Sequence, residues 1–197
     1  MTPPGPPKQF DRDQALERAL ETFWEHGYRG TSMRHLLDPM QIGRQSLYDT
    51  FGGKHELFVE SLTRYMDRMM APMLVLLDEP RPAMECLHGL FDVWLQMTDE
   101  GASKGCLAVM ATSELAKEDA AVSQLLHASF LRMEDALRRT LRRAQQEGDL
   151  SSDIDPLDTA RLIMATSKRL AILDRMPPAP EAVAGVIDAL RRLLQRP

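Results

Sequence analysis

The stretch ALERALETFWEHGYRGTSMRHLLDPMQIGRQSLYDTFGGKHELF, residues 15–58, predicts three short helices followed by the start of a fourth. Apolar residues first recur at the spacing of one helix face, and Gly27 stands where that helix would end. These apolar residues are Ala15, Leu16, Ala19, Leu20 and Phe23. The hydroxyl residues at 31–32 favour the start of a second helix. A third helix covers Arg44 to Phe51, and the glycine pair at 52–53 ends it.

Two short helices joined by a tight turn and supported by a third are typical of a helix-turn-helix, whose second short helix lies in the major groove of DNA. Leu47 and Phe51 are four residues apart and would face the domain core. The other positions are polar and would face the groove: Arg44, Gln45, Ser46, Tyr48, Asp49 and Thr50. The pattern therefore predicts that the third helix contacts DNA.

The same stretch resembles, without a gap, the DNA-binding domain of the TetR family of transcriptional regulators. The matching residues are Phe23, Gly27, Gly30, Thr31, Ser32, Met33, Ile42, Ser46, Leu47, Tyr48, Phe51, Lys54, Leu57 and Phe58. The stretches KGCLAVMATSELAKED (104–119) and RRAQQEGDLSSDIDPLDTARLIMA (142–165) are loosely similar to the ligand domains of that family. The resemblance implies a transcriptional regulator, in the first place a repressor that a small molecule releases from its operator.

The resemblance also implies roles for single residues of a helix-turn-helix from Ser32 to Phe51. Phosphate contacts are implied for Thr31, Ser32, Tyr48 and Lys54. Base contacts are implied for Arg44 and Gln45, because arginine pairs with guanine and glutamine with adenine. Asp49 and Thr50 would reach bases or the groove wall. The full set expected at the DNA is Thr31, Ser32, Arg34, Arg44, Gln45, Ser46, Tyr48, Asp49, Thr50 and Lys54.

Three positions depart from the pattern of the family. Gln41 stands where the turn commonly has glycine, and Gly43 replaces the usual serine or threonine N-cap of the third helix. Pro39 lies at the end of the second helix. An altered turn or a shortened second helix is expected.

The rest of the chain keeps the helical period and shows no convincing strand alternation, so an all-α fold of about nine helices is predicted. The later helices are expected from Lys54, where Pro72 would end or kink the helix, and over Ala83–Thr98, Cys106–Ala116, Ala120–Glu147, Pro156–Arg175 and Pro180–Gln195. Four regions follow: a disordered arm (1–8), a DNA-binding domain (9–53), a connecting helix (54–77) and a ligand-binding and dimerisation domain (78–197).

Composition excludes several classes of protein. The formal net charge of -5 argues against a strongly basic nucleic-acid binder, although residues 26–54 hold four cationic side chains against two carboxylates. No apolar run is long enough to span a membrane, and the start of the chain lacks a signal peptide. Two cysteines do not make a disulfide framework, which favours a cytoplasmic protein. Neither a phosphate loop, a nucleophile elbow nor a zinc signature is present, so no enzyme, cofactor or metal site is expected.

Two partners besides palindromic operator DNA are expected, a second copy of the chain and a small apolar effector. The dimer seam is placed on the last two helices, at Ala160, Met164, Ser167 and Ala171 and at Val183, Val186, Leu190 and Leu193. The effector pocket is expected among large apolar groups with a few polar ones. Its predicted lining is His88, Phe91, Trp94, Met97, Met110, Phe130, Met133 and Met164, and Thr112 and His127 could orient a ligand.

Two alternatives stay open. Cys106 starts a helix close to Lys104, an environment that favours thiolates, so it could sense electrophiles or oxidants. The chain could also be a helical adaptor that does not bind DNA.

Overall fold

The computed structural model describes residues 10–99, 105–173 and 179–195, and every regular element in these ranges is an α-helix. The helices are α1 (Arg12–Gly30), α2 (Met33–Met40), α3 (Arg44–Phe51), α4 (Lys54–Asp78), α5 (Ala83–Asp99), α6 (Leu107–Leu115), α7 (Ala120–Glu147), α8 (Pro156–Leu173) and α9 (Ala179–Leu194). The predicted all-α fold is confirmed. The predicted arm at residues 1–8 lies outside the described residues.

The chain divides into two compact units, Met1–Tyr65 and Met66–Pro197. The first unit contains α1, α2, α3 and the N-terminal part of α4. The second unit contains the remainder of α4 and the five later helices. The boundary therefore falls inside α4, within the stretch 54–77 that the sequence predicts as a connecting helix.

Helix α1 supplies the core of the first unit. All five residues of its predicted apolar stripe are at most 2% exposed. Asp11 caps its start, because the Asp11 carboxylate accepts hydrogen bonds from the backbone N–H groups of Asp13 and Gln14 at 2.9 and 3.0 Å. Gly27 adopts a positive φ of 70°, as its predicted helix-ending role requires, and one further turn continues to Gly30.

Prolines interrupt neither α2 nor α4. Pro39 is inside α2, which continues one residue further and ends at Met40. The Pro39 carbonyl accepts a hydrogen bond from the Arg18 guanidinium of α1 at 2.9 Å. Pro72 is exposed on α4, and the helix continues past it to Asp78, so of the two expected effects of Pro72 the end of the helix does not occur. A proline inside a helix removes one backbone hydrogen bond. The burial of apolar side chains on the inner side of α4, including Met73 and Leu77, offsets the stability lost with that bond.

Helix α7 is the centre of the second unit and packs against α5, α6 and α8, while α9 packs against α5 and α8. Its ends are capped as their residue types predict: the Asp119 carboxylate accepts from the backbone N–H of Val122, and Gly148 takes the left-handed conformation. The buried Thr140 hydroxyl lies 3.2 Å from the carbonyl oxygen of Leu77 in α4 and 3.0 Å from that of Ala136. No helix in the described ranges is long and apolar enough to cross a membrane.

Candidate DNA-binding surface

The turn between α2 and α3 rests on Gln41, whose φ of 56° is the one positive value at a non-glycine position among the described residues. Glycine adopts this left-handed conformation more easily than other residues do. Gly43 precedes α3 in extended geometry and makes no side-chain capping bond. On the inner side of the two helices, Leu36 and Leu47 are fully buried. The chain therefore forms a helix-turn-helix although Pro39, Gln41 and Gly43 depart from the pattern of the family.

The outer side of α3 is polar. Arg44, Gln45 and Asp49 are exposed, and Tyr48 is 46% exposed. The Gln45 Nε2 donates a hydrogen bond to Asp49 Oδ1 at 2.8 Å. Ser46 and Thr50 are half-buried at the flanks. The six predicted α3 residues therefore lie on one short helix, four of them open to a partner.

Two further predicted residues lie at the start of α2. The Ser32 hydroxyl accepts from the His35 backbone N–H at 3.2 Å, and His35 Nδ1 accepts from the Ser32 N–H at 3.4 Å, which forms a capping box. Arg34 forms an ion pair with Asp38 at 3.3 Å, and its side chain is 88% exposed. Both residues remain accessible.

Thr31 requires a correction. Its side chain is 2% exposed, and its hydroxyl donates a hydrogen bond to the Gly27 carbonyl at 2.6 Å. Gly27 has non-helical backbone angles, and its carbonyl accepts the hydrogen bond of the Thr31 hydroxyl at this bend. The side chain therefore closes the α1–α2 connection and is not available to a phosphate.

Lys54 lies at the start of α4 with its ammonium 4.3 Å from the centroid of the Tyr28 ring, a cation–π geometry. Tyr28 packs in turn against Phe23 and Phe58, with ring centroids 6.3 and 4.9 Å away. The ring thus holds the ammonium near the surface at the N-terminus of a helix. Sequence reasoning missed Tyr28, because it lies 26 positions before Lys54 in the chain.

Arg12 joins three helices of the first unit. Its guanidinium donates two hydrogen bonds to the Glu60 carboxylate of α4, at 2.7 and 2.8 Å, and this bonding raises the pKa of Arg12 above its ordinary value. The same guanidinium lies 4.8 Å from the ring centroid of Phe51 in α3. A parallel contact joins Arg64 to Asp13, and its hydrogen bond lowers the pKa of that carboxyl group. These contacts hold α1, α3 and α4 together beneath the exposed side of α3.

The residues predicted to line an effector pocket divide into three groups. Phe91, Met133 and Trp94 are 0%, 4% and 9% exposed and belong to the core of the second unit. Met97 is 43% exposed, so its prediction as part of an interior lining is wrong. The remaining four are half-buried: His88, Met110, Phe130 and Met164. The predicted orienting groups Thr112 and His127 are exposed.

His88 lies beside an ion pair of Arg191 and Asp92, whose atoms Nη2 and Oδ1 are 2.5 Å apart. Burial lowers the pKa of His88, and the positive charge of Arg191 lowers it further against the opposing effect of Asp92. The neutral imidazole is therefore favoured at this position.

A groove of about 380 Å³ lies elsewhere in the second unit, and it contains none of the predicted effector residues. Its lining is Pro80, Arg81, Pro82, Arg143, Glu147 and Asp149. The Glu147 carboxylate accepts from the Ala83 backbone N–H at 2.6 Å and thereby ties the end of α7 to the start of α5.

Cys106 is half-buried and is the N-cap of α6, where its side chain makes no capping bond. Cys86, the other cysteine, is buried and accepts a hydrogen bond from Arg143 at 3.2 Å.

Among the described residues, no group of three or more His, Cys, Asp or Glu side chains is arranged to hold a metal ion.

The predicted dimer seam also requires a correction. Ala160, Val183 and Leu190 are at most 5% exposed within a single protomer, so they fill the core of the second unit. Among the side chains that the structure describes on α8 and α9, the exposed large apolar ones are Leu162, at 50%, which was not predicted, and Leu193, at 61%, which belongs to the predicted seam. The Ala171 side chain lies outside the described residues.

Comparisons with known proteins agree with this geometry. The family description "Bacterial regulatory proteins, tetR family" matches residues 15–60, and "Tetracyclin repressor-like, C-terminal domain" matches residues 83–196. An uncharacterised HTH-type transcriptional regulator of Bacillus subtilis, YezE, is 31% identical over 93% of this chain and all of the relative. The Escherichia coli repressor ComR is 27% identical over 96% of this chain and 91% of its own length.

A solved structure is similar over nearly the whole chain. The TetR-family regulator CifR, as a cysteine mutant complexed with 26-bp double-strand operator DNA, shares a TM-score of 0.84 and 30% identity, covering 96% of this chain and 100% of that one. The fold and the helix-turn-helix thus define a DNA-binding transcriptional regulator. The chain belongs to the TetR family of bacterial regulatory proteins.

The buried role of Thr31 predicts the result of Thr31→Val, which removes the hydroxyl and keeps the shape. The Gly27 carbonyl loses its donor, so the free energy of unfolding falls by about 1–3 kcal/mol. Urea denaturation followed by circular dichroism measures the change. Thr63→Val is the matched control, because the Thr63 hydroxyl bonds only to the Val59 carbonyl of its own helix and its loss has a smaller effect. Unchanged stability together with a roughly tenfold weaker operator affinity would instead support a phosphate contact.

Proposed function

We propose that the protein represses transcription by binding a palindromic operator as a homodimer, and that a small apolar effector releases it. The observation that carries the proposal is α3, an eight-residue helix with a buried apolar side and an exposed side that includes Arg44, Gln45 and Asp49. A relative that is named a repressor and a similar structure that holds operator DNA support it. The protein would act in the cytoplasm.

Each of the two units would have its own role. Residues 9–53 would bind DNA, with α3 in the major groove and the residues of α2 and Lys54 at the phosphates. Residues 78–197 would bind the effector and the second protomer. Helix α4 is shared by both units, so a displacement of its C-terminal part would change the position of its N-terminal part. Two recognition helices bind consecutive major grooves only when they lie about 34–36 Å apart, so a small displacement is enough to weaken binding.

The effector would enter between α6, α7 and α8, which pack against one another. Met110, Phe130 and Met164 come from these three helices and are half-buried. Flexible methionine side chains can move aside for an apolar guest. The packed core around Phe91 and Met133 would then belong to the state without effector, and the effector would favour a more open one.

DNA binding through α3 predicts different effects of two substitutions. Arg44→Ala weakens operator binding by about 1–3 kcal/mol and relaxes the preference at one base pair, because a bidentate base contact is lost. Lys54→Ala weakens binding to all sequences and lowers the slope of log affinity against log salt by about one, because one phosphate contact is lost. Fluorescence anisotropy with labelled duplexes measures both effects. Arg142→Ala, an exposed arginine of α7, is the control and leaves binding unchanged. Parent-like operator affinity of Arg44→Ala would show that another residue makes the base contact.

The dimer proposal predicts that the double substitution of Leu162→Asp and Leu193→Asp yields a monomer at micromolar concentration. Two-fold symmetry places four carboxylates in an interface that has to exclude water, and their burial without partners is costly. Light scattering after size exclusion gives the mass. Val75→Asp is the matched control, because Val75 is an apolar side chain with 64% exposure on α4 and lies outside the proposed seam. A dimeric mass for the double variant would place the interface elsewhere.

Effector control predicts that apolar compounds change the fluorescence of Trp94 and release DNA over the same concentration range. Trp24→Phe leaves Trp94 as the single tryptophan. A panel of substituted naphthalenes and biphenyls, titrated beside operator binding, should include compounds that lower operator affinity about 5- to 150-fold. Met110→Phe adds a larger and stiffer side chain in the proposed effector space between α6, α7 and α8 without adding a second tryptophan. This variant should retain operator binding and lose the response to the compounds. A strong change in Trp94 fluorescence with constant operator affinity would show that the effector space between α6, α7 and α8 does not control DNA binding.

A further inference from the structure

The outermost positions of α3 belong to two side chains that are bonded to each other, Gln45 and Asp49. Leu47 and Phe51 mark the buried side of this helix. At about 100° per residue, positions 45 and 49 lie on the opposite side, one turn apart. The bonded pair, which we call the Gln45–Asp49 pair, is therefore the part of α3 that points away from its own domain.

A carboxylate at this position has a cost for a protein that binds DNA. The negative charge of Asp49 would approach the phosphates of the duplex, which repel it. The carboxylate must therefore contribute something else at the interface. The bond that it makes is to Gln45, and Gln–Asp pairs at this spacing stabilise a helix only modestly. The larger consequence is the orientation of the Gln45 amide.

The pair fixes which groups Gln45 presents outward. An ionised carboxylate only accepts hydrogen bonds, so it selects the NH2 side of the amide and leaves the Oε1 acceptor beside the second N–H donor. Adenine offers the complementary pattern in the major groove, a donor at N6 and an acceptor at N7. Guanine offers two acceptors, O6 and N7, and would require both N–H groups, one of which Asp49 already engages.

We propose that Asp49 is a positioning residue that orients the Gln45 amide, so that α3 selects adenine over guanine at one position of each operator half-site. The inference rests on the proposed function, in which α3 enters the major groove with Gln45 at a base edge. It adds a role for Asp49 that involves no direct contact with a base, and it names the base that the pair selects.

The test is an in vitro selection of operators from randomised duplexes with the purified full-length protein, followed by competition between duplexes that differ at a single base pair. The variants are Gln45→Met, which keeps length without the amide, and Asp49→Asn, which keeps shape but can bond to either side of the amide. Asp38→Asn is the matched control, because it removes the same charge from an exposed position of α2. Thermal unfolding of each variant confirms that it is folded, as expected for exposed side chains.

For the parent we expect adenine over guanine by about 5- to 150-fold at one position, the range for a bidentate base contact. Gln45→Met should abolish this preference. Asp49→Asn should reduce it by about two-fold or more at the same position, because guanine becomes acceptable. Asp38→Asn should leave the ratio unchanged, whatever its effect on total affinity.

Three results would overturn the inference, and each has its own meaning. If Gln45→Met keeps every base preference, Gln45 does not read a base, and this part of the proposed function fails with the inference. If Gln45→Met loses the adenine preference but Asp49→Asn retains the parent ratio, only the positioning role fails. If Asp49→Asn instead loses a cytosine preference at a neighbouring position, Asp49 reads the N4 amino group directly.

Discussion

The burial of Leu47 and Phe51 is the constraint on which the DNA-binding surface depends. An eight-residue helix is too short to be stable alone in water, so α3 exists because its apolar side is packed against the rest of the first unit. The guanidinium of Arg12 on the Phe51 ring, itself bonded to Glu60, extends that packing to α1 and α4. Every exposed group of α3 takes its direction from these contacts, because the rotation of a short helix is fixed once its buried side is fixed.

The second unit differs in the length of its helices, because α5, α7, α8 and α9 each have at least 16 residues. Helix α7 packs against α5, α6 and α8, contacts α4 through Thr140, and is capped at both ends, which suits a central element that stays in place. Helix α6 has nine residues and α7 has 28, so α6 has fewer interactions to lose. An effector that needs space would therefore be accommodated at lower cost by a movement of α6 than of α7.

The sequence predicted helix ends and buried helix sides correctly, because these depend on the residue type at one position or on the spacing of apolar residues within one helix. Gly27 and Gly148 have the positive φ values that a helix end requires, and the apolar period of α1 identifies its buried side. Contacts between distant residues could not be predicted in this way. Arg12 and Glu60 are 48 positions apart, and no periodic pattern in the sequence links them. The burial of Thr31 depends on its bond to the Gly27 carbonyl, at a point where the helix is bent.

The same limit explains the corrected dimer seam and effector lining. Apolar residues on α8 and α9 occur around much of each helix, and the sequence alone does not show which of them the protomer buries for itself. Val183 and Leu190 are used in the core, and Leu193 is left outside. Met97 lies outside as well. The bond between Gln45 and Asp49, by contrast, was within reach of sequence reasoning, because residues four apart on a helix are neighbours.

The boundary between the units inside α4 has a consequence for folding. A helix that belongs to two units has no natural end at Tyr65, and a chain cut there would leave four carbonyl groups without their helical partners. Neither half of the molecule therefore has its full set of hydrogen bonds without the other. Loss of structure in one unit would fray α4 into the next, which couples the unfolding of the two units through the backbone itself.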